Sequence, residues 1–354
     1  MSNELNVLYQ SDDNYAVYLG VSMLSLFLNN RDIPSINVYV IDDSISDKNR
    51  QKLIKCAAEY GRNLIFCPAA EIHEKAKGTG FDRYNGFRKN KMSYLKMFVA
   101  DAVPKTVKRL LYIDCDTLVL DSLSALMETD MQGKPIGMVL SAMRGAKGKE
   151  RVGLSPEDPY FNSGIILFDM DRWKEEKCLE QIIYHARNVR VYQTVDQDFY
   201  SVVLKGRVAV LDIKYNLQIQ YIAFGNKCVK KHYPKSGYYY DDKEVEAAIA
   251  RPAILHFLRF LGNYPMDENN IHPALPLFNE YLSISEFKDD EKKKTRLKPA
   301  IKIERIMYRI LSHSLFLWFF KMASRKVTEK EEKKALEISR ELREQAAAEK
   351  TEQK

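Results

Sequence analysis

Residues 6 to 42 read NVLYQSDDNYAVYLGVSMLSLFLNNRDIPSINVYVID. The first five residues are β-prone, the polar SDDN follows, and a long apolar run leads to a second β-prone run, INVYVID. Short apolar runs bounded by turn residues are typical of buried strands, whereas the longer apolar run is typical of a buried helix. The pattern therefore predicts a strand, a helix and a strand in succession.

The alternation of strands and helices continues along the chain. SDKNRQKLIKCAAEYG predicts an amphipathic helix that ends at Gly61, NLIFCPA predicts a strand, and KMSYLKMFVADAVP predicts a helix. RLLYIDCDTLVL predicts one strand that two acidic residues interrupt. Three more apolar segments predict further strands; they are FNSGIILFDMDRW, RVAVLDIKYN and PAILHF. We expect an α/β fold with a mixed, mostly parallel sheet, helices on both faces and ligands at the carboxyl ends of the strands.

The composition is that of a globular protein. The chain has 354 residues, of which 45% are hydrophobic and 29% charged. Its five cysteines include no C-x-x-C pair, which favours a reducing compartment and argues against a structural zinc site. The start, MSNELNVLYQSDDN, does not resemble a secretory signal, and no run of 18 uncharged apolar residues predicts a membrane span. We therefore expect a cytoplasmic protein.

The net charge of +7 comes from one segment near the end of the chain. Residues 1–287 carry 36 basic and 36 acidic residues, whereas residues 288–326 carry 12 basic against 4 acidic ones. Apolar residues recur there at helical spacing among basic ones; they are Ile303, Ile306, Met307 and Ile310, with Lys302, Arg305 and Arg309 on another face. The pattern predicts a helix that lies on an anionic membrane surface through residues 292–326. A helix packed on its own domain has a similar sequence, so that alternative stays open.

Three parts of the chain follow from these patterns. We expect residues 1–287 to form the main domain, residues 288–326 a basic amphipathic helical extension, and residues 327–354 a charged tail that is helical or disordered. The stretch 73–91 is basic and glycine-rich, which is typical of a lid and equally of a plain surface loop. The main domain is neutral and contains no recognisable nucleic-acid-binding motif, so we expect no nucleic-acid partner.

Two acidic residues mark the place where chemistry is expected. Asp114 and Asp116 flank Cys115 after the apolar residues LLYI, so both carboxylates can point into a ligand crevice. Neighbouring carboxylates beside a buried strand repel each other unless a cation neutralises them. Oxygen ligands of this kind suit Mg²⁺ or Mn²⁺. A D-x-D triplet taken alone is also common in turns and helix caps, which keeps a structural role open.

Two further groups of polar residues follow predicted strands. His256 ends the strand in PAILHF; a lone histidine is usually structural, but as a third ligand it would favour Mn²⁺ over Mg²⁺. Asp196, Gln197 and Asp198 follow VYQTV. The simpler interpretation of that cluster is the N-terminus of a helix, capped by Thr194 or by Asp196 itself.

Six segments in this order resemble glycosyltransferase family 8, whose bacterial members include lipopolysaccharide galactosyl- and glucosyltransferases. They are QSDDNYAVYLGVSMLSLFLNN, LLYIDCDTLVL, YFNSGIILFDMDRW, TVDQD, LDIKYN and LHF. The resemblance covers residues from about 5 to about 280. It implies the GT-A fold, a UDP-sugar donor, Mn²⁺ and transfer of a hexose with retention of the anomeric configuration.

The resemblance also implies roles for individual residues. Asp114, Asp116 and His256 would bind Mn²⁺, which bridges the two phosphates of the donor. The positions that match the uridine pocket are Gln10, Asp12, Asn14 and Tyr15, with the ring of Tyr15 stacked on uracil. The positions that surround the donor sugar and diphosphate are Lys96, Cys115, Asn162, Ser163, Gly164, Asp196 and Gln197.

Gln197 matches the family's residue near the anomeric carbon and, with Asp196, is expected to be catalytic. A neutral amide is a poor nucleophile, so a same-face, ion-pair-like displacement is favoured over a covalent intermediate. Gln197 would then stabilise the oxocarbenium ion and position the acceptor.

Two departures from the family pattern concern the phosphates. Lys96 stands where the family commonly has an arginine, which keeps the charge but loses the bidentate fork. HFLRFLGNYPM, which begins at His256, lacks the family's glycine after the histidine and its phosphate-binding lysine. Arg259 or a lysine of the 73–91 stretch could replace that lysine.

We therefore expect a retaining hexosyltransferase that uses UDP-galactose or UDP-glucose with Mn²⁺, Mg²⁺ being possible. The expected acceptor is a glycan or glycolipid, lipid-linked or of the lipopolysaccharide type, at the inner face of the cytoplasmic membrane. Two alternatives stay open: a protein-directed glycosyltransferase of the same fold, and a non-catalytic protein that binds nucleotide sugars.

Overall fold

A computed structural model of the chain describes residues 4–81, 92–192, 194–234 and 239–352. The strands in these ranges are β1 (Glu4–Asp12), β2 (Ser35–Asp43), β3 (Asn63–Pro68), β4 (Arg109–Ile113), β5 (Thr117–Val119), β6 (Ile136–Leu140), β7 (Phe161–Asp169), β8 (Val208–Val210), β9 (Leu217–Gln218) and β10 (Ile254–His256). The α-helices are α1 (Ala16–Asn29), α2 (Asp47–Glu59), α3 (Ala69–Ala76), α4 (Val99–Ala102), α5 (Ser124–Met127), α6 (Ala146–Arg151), α7 (Met170–Glu175), α8 (Cys178–Asn188), α9 (Val195–Val203), α10 (Ile219–Phe224), α11 (Asn226–His232), α12 (Asp242–Ala250), α13 (Leu275–Ser283), α14 (Pro299–Ile310) and α15 (His313–Glu352). Two 3₁₀ turns are Leu95–Phe98 and Ile213–Asn216.

Seven strands form the main sheet, in the order β3-β2-β1-β4-β7-β6-β8. β1, β2, β3 and β4 are parallel, β8 is parallel to β6, and β7 is antiparallel to both of its neighbours. Along β1, Val7 and Tyr9 enter one hydrophobic core and Leu8 enters another, because successive side chains of a strand point to opposite faces. The predicted α/β fold with a mixed, mostly parallel sheet is confirmed.

The segment that contains the two acidic residues differs from its prediction as one continuous strand. β4 ends at Ile113 in the main sheet, and the chain then enters a second sheet, of order β5-β10-β9. β5 pairs antiparallel with β10, which places His256 opposite Thr117. Asp114 and Asp116 therefore lie at the junction of two sheets, where the backbone leaves the ladder of one and joins that of the other.

Two other predictions along the chain need correction. The helix expected in KMSYLKMFVADAVP is a 3₁₀ turn followed by the single turn of α4. The loop expected over residues 73–91 begins later, because its first residues belong to α3. Residues 82–91 of that stretch lie outside the described residues, and so do two of the lysines proposed as phosphate ligands, Lys89 and Lys91. The other two are paired with carboxylates, Lys75 with Asp101 and Lys77 with Glu74.

The C-terminal helices contact the main domain and also expose apolar residues. Arg305 is buried, contrary to the expected basic outer face; its Nε and Nη1 donate to the carbonyls of Leu261 and Asn269, each at 3.0 Å. Phe316 is buried and stacks on Phe224 of α10. The helical extension is confirmed, and one of its faces is packed on the domain.

The tail beyond residue 326 is helical, because α15 continues through it to Glu352. Ala335 and Ser339 of this helix are buried, and the Ser339 hydroxyl accepts a hydrogen bond from the backbone N–H of Val191 at 3.0 Å. Among the helices in the described ranges, none combines the length and the apolar character needed to cross a bilayer. The division of the chain at residues 287 and 326 stays a prediction.

Candidate active site

A crevice of about 430 Å³ opens where β1 and β4 end. Predicted site residues that line it are Gln10, Asp12, Tyr15, Lys96, Cys115 and Asp196. Asp114, Asp116 and His256 line it as well. These predicted residues therefore line one crevice, as expected of an open α/β sheet. The predicted residues that are not among its lining are Asn14, Asn162, Ser163, Gly164 and Gln197.

The two aspartates and the histidine form a cluster of possible metal ligands. One oxygen of each carboxylate and one imidazole nitrogen lie within 4.8 Å of one another. His256 Nε2 is 3.4 Å from Asp116 Oδ1 and 3.9 Å from Asp114 Oδ2. The pairing of β5 with β10 produces this arrangement, and the backbone N–H of Phe257 donates to the Asp116 carbonyl at 2.9 Å.

The cluster fits a divalent cation. His256 Nε2 is buried and has no hydrogen-bond partner among the described residues. Burial opposes the charged form of Asp116, but the adjacent His256 lowers the pKa of Asp116 below its ordinary value. Two carboxylate oxygens and one imidazole nitrogen are a mixed ligand set that suits Mn²⁺.

Lys96 supplies the positive charge that part of the site requires. Its side chain is only 2% exposed, and its Nζ lies 3.0 Å from Asp114 Oδ1 and 2.8 Å from Asp196 Oδ2. Burial would lower the pKa of Lys96, but the two carboxylates raise it to about 12, so the ammonium stays charged. It also donates to the Ser163 carbonyl at 3.1 Å.

These contacts revise the role expected for Lys96. An ammonium has three N–H donors, and here the three point to oxygens of the protein rather than towards a phosphate. The hydroxyl of Tyr112 also donates to Asp114 Oδ1, at 2.6 Å. Asp114 therefore has one oxygen held by Lys96 and Tyr112, and its other oxygen faces His256.

The residues predicted around the donor sugar form a hydrogen-bonded group beside this cluster. Asn162 Nδ2 donates to Gln197 Oε1 at 2.8 Å, and the Ser163 hydroxyl donates to Asp196 Oδ2 at 2.7 Å. Thr194 begins α9 without a side-chain cap. Asp196 pairs with Lys96 and Ser163, which is a more specific arrangement than the alternative of a simple helix cap.

Position 164 requires a glycine because there is no space for a side chain there. A Cβ atom at this position would lie 2.1 Å from Cε1 of His256. The backbone of β7 approaches the imidazole so closely that no side chain fits. The backbone carbonyl of Gly164 accepts a hydrogen bond from the backbone N–H of Asp114 at 2.8 Å, which joins β7 to the acidic pair.

The predicted uridine end of the crevice is only partly as expected. Asp12 Oδ1 accepts from the backbone N–H of Tyr15 at 3.0 Å, and Asn14 Nδ2 donates to Asp12 Oδ2 at 3.5 Å. The ring of Tyr15 contacts the ring of Tyr264, with centroids 5.8 Å apart, and burial raises the pKa of Tyr15. Gln10 Oε1 is buried without a hydrogen-bond partner in the described ranges, so it is available to a ligand.

Several residues of the site were missed in the sequence. Those that line the crevice are Ser11, Ser93, Tyr112, Leu258 and Tyr264. Leu258 has a φ of 53°, a left-handed conformation that is rare for leucine and gave no signal in the sequence. Tyr264 could have been noticed as an aromatic residue eight positions after His256, in the segment that departs from the family pattern.

The sheet topology, the acidic pair and the strand-end histidine agree with a glycosyltransferase of the GT-A fold. The sequence profile of glycosyl transferase family 8 matches residues 6–263. The chain belongs to this family, and the predicted glycosyltransferase activity class is confirmed.

Known proteins similar to this chain agree with that assignment. General stress protein A of Bacillus subtilis (strain 168) is 26% identical over 288 residues, which are 80% of this chain and 94% of that protein. Lipopolysaccharide 1,2-glucosyltransferase of Escherichia coli (strain K12) is 29% identical over 226 residues, which are 60% of this chain and 62% of that enzyme. The crystal structure of the galactosyltransferase LgtC with donor and acceptor sugar analogues has a TM-score of 0.62 at 20% identity, and the match covers 84% of this chain and 99% of LgtC.

Replacing Lys96 tests the charge balance of the site. In Lys96→Met, Asp114 and Asp196 lose their shared cation inside a buried crevice, so we expect the free energy of unfolding to fall by about 3–5 kcal/mol. Guanidinium unfolding monitored by circular dichroism measures it. The matched control is Lys108→Met, which breaks an exposed ion pair with Asp171 and should cost at most about 1 kcal/mol. Equal losses in the two variants would contradict the role of Lys96.

Proposed function

We propose that the protein is a retaining hexosyltransferase that moves glucose or galactose from a UDP-sugar to a glycan acceptor. The observation that supports this most strongly is the meeting of Asp114, Asp116 and the unpartnered Nε2 of His256 in one crevice. The Escherichia coli relative, by its name, transfers glucose to lipopolysaccharide. A lipid-linked or lipopolysaccharide-type glycan is therefore our proposed acceptor.

Each part of the site has a proposed task in the transfer. Asp114, Asp116 and His256 would hold Mn²⁺, which when bound stabilises the negative charge that develops on the departing UDP. Lys96 holds Asp114 in place for this purpose. Gln10 and Tyr15 would receive the uridine, the first through its free amide oxygen and the second through its ring.

Gln197 is the proposed residue at the reacting carbon. Its Oε1 accepts from Asn162 Nδ2 and, at 3.4 Å, from the backbone N–H of Ser163, so the amide is fixed. A fixed neutral amide is a poor nucleophile, which favours displacement on one face of the sugar through an ion pair. Asp196 is paired with Lys96 and therefore contributes by holding the start of α9 in place.

Removing one metal ligand tests the proposed activity. In Asp114→Asn and Asp116→Asn, the cation site loses a charged oxygen, so we expect Mn²⁺-dependent UDP release to fall at least about 100-fold. The measurement is UDP release from UDP-glucose and from UDP-galactose, with and without Mn²⁺. The control is Asp171→Asn, which neutralises an acidic residue on the surface and should behave like the unaltered protein. Full activity in either ligand variant would overturn the assignment.

We also propose that the extension holds the enzyme on an anionic membrane surface. Ile303, Ile306 and Ile310 of α14 are 58%, 57% and 71% exposed, and Lys302 and Arg309 on the same helix are exposed as well. At the start of α15, further apolar residues are exposed; they are Leu315, Trp318, Phe319 and Met322. Apolar side chains among basic ones suit the boundary between head groups and acyl chains. Each basic residue near such a surface adds roughly 1 kcal/mol.

Glutamate substitutions on α14 test this surface. The triple variant Ile303→Glu, Ile306→Glu and Ile310→Glu should no longer sediment with vesicles that contain phosphatidylglycerol, because it loses apolar contact and gains repulsion. UDP release in solution should stay unchanged, since the three residues lie outside the crevice. Ile54→Glu on α2 replaces another exposed isoleucine and should still sediment. Sedimentation of the triple variant at the level of the unaltered protein would refute membrane docking.

A further inference from the structure

A buried asparagine lies behind the metal-ligand cluster and was not among the predicted site residues. Asn216 is 0% exposed and ends the 3₁₀ turn that precedes β9. Its side chain lies between two residues of the site. Asn216 Nδ2 is 2.8 Å from Asn162 Oδ1, and Asn216 Oδ1 is 3.0 Å from His256 Nδ1.

The orientation of both asparagines follows from one backbone group. The N–H of Gly164 can only donate, and it lies 3.0 Å from Asn162 Oδ1, which is therefore an acceptor. The atom of Asn216 that faces the same Asn162 oxygen must then be its amide nitrogen. It follows that the oxygen of Asn216 faces His256.

This orientation determines the tautomer of His256. Because the Asn216 oxygen can only accept, Nδ1 of His256 must carry the proton. In the neutral imidazole, the form that a metal ligand requires, Nε2 then carries the lone pair and directs it towards Asp114 and Asp116. Hydrogen bonds of this kind to the second nitrogen of a histidine ligand typically change metal affinity by about 10–100-fold.

The same network reaches the proposed reacting end of the crevice. Asn162 uses its oxygen for Gly164 and Asn216, and its nitrogen for Gln197 Oε1. Two buried amides, those of Asn216 and Asn162, therefore connect His256 of the cation site to Gln197, the residue proposed at the anomeric carbon. Removing one member leaves a buried donor or acceptor without its partner, so the members depend on one another.

We propose that Asn216 and Asn162 are positioning residues: Asn216 fixes the tautomer of His256 for metal binding, and Asn162 fixes the amide of Gln197 for transfer. The inference rests on the proposed function, because it assigns a task to residues behind the same site. It predicts that Mn²⁺ binding and turnover can be damaged separately.

Three substitutions separate the two tasks. Asn216→Leu removes the acceptor for His256, so Mn²⁺ affinity without donor should fall about 10–100-fold. Asn216→Asp keeps an acceptor for His256 Nδ1 but loses the donor to Asn162, so it should recover most of the Mn²⁺ affinity that the leucine variant loses. Asn162→Asp keeps the acceptor for Gly164 and Asn216 but loses the donor to Gln197. It should lower kcat at saturating Mn²⁺ about 10-fold or more while the Mn²⁺ affinity changes less than about 3-fold.

Isothermal titration calorimetry with MnCl₂ measures affinity, UDP release gives kcat and KM, and thermal unfolding reports on folding. If Asn216 had only a structural role, Asn216→Leu and Asn216→Asp would both have a lower Tm. The aspartate variant would then bind Mn²⁺ no more tightly than the leucine variant. If the leucine variant does not fold, the two aspartate variants decide: weak Mn²⁺ binding by Asn216→Asp, or unaltered kcat in Asn162→Asp, overturns the proposal. If Asn216→Leu folds and binds Mn²⁺ like the unaltered protein, the proposal is also overturned.

Failure of the proposed function has a different signature. In that case Asp116→Asn would bind Mn²⁺ as the unaltered protein does, which overturns both the metal site and the network behind it. If Asp116→Asn loses Mn²⁺ while Asn216→Leu does not, only the network is wrong.

Discussion

The site depends on balancing the charges of three carboxylates that line one crevice. Lys96 lies between Asp114 and Asp196 and neutralises them on one side. On the other side, Asp116 and the second oxygen of Asp114 face His256, and no lysine or arginine in the described part of the chain pairs with them. Because uncompensated buried charge is costly, the carboxylate oxygens beside His256 favour a bound metal ion. Lys96 holds Asp114 in the orientation that can receive this ion.

The fold produces this charge arrangement through a change of sheets. β4 delivers Asp114 at the end of the main sheet, and β5 carries the chain into the smaller sheet directly after Asp116. The pairing of β5 with β10 then brings His256 to the acidic pair, although 140 positions separate it from Asp116 in the sequence. β7 completes the site from behind, where Gly164 leaves room for the imidazole.

The sequence was informative where strands end in polar residues. Apolar runs followed by acids predicted the sheet and the crevice, because parallel strands place their carboxyl ends together. The meeting of His256 with the acidic pair depends instead on the antiparallel pairing of β5 with β10. The partners of Lys96 and the position of Asn216 could not be predicted, since they depend on pairings between distant segments. The burial of Arg305 was missed for a related reason: helical periodicity shows which residues share a face but not which loop carbonyls that face meets. The left-handed backbone of Leu258 has no sequence signature at all.

We propose that Asp114, Asp116 and His256 bind one divalent cation together with the diphosphate of the donor. Anomalous X-ray scattering at the manganese edge, from crystals grown with MnCl₂ and UDP, locates that cation. We predict one strong peak within bonding distance of both carboxylates and of His256 Nε2, with the two phosphates of UDP against it. A peak elsewhere in the protein, or UDP bound away from the acidic pair, would contradict the account.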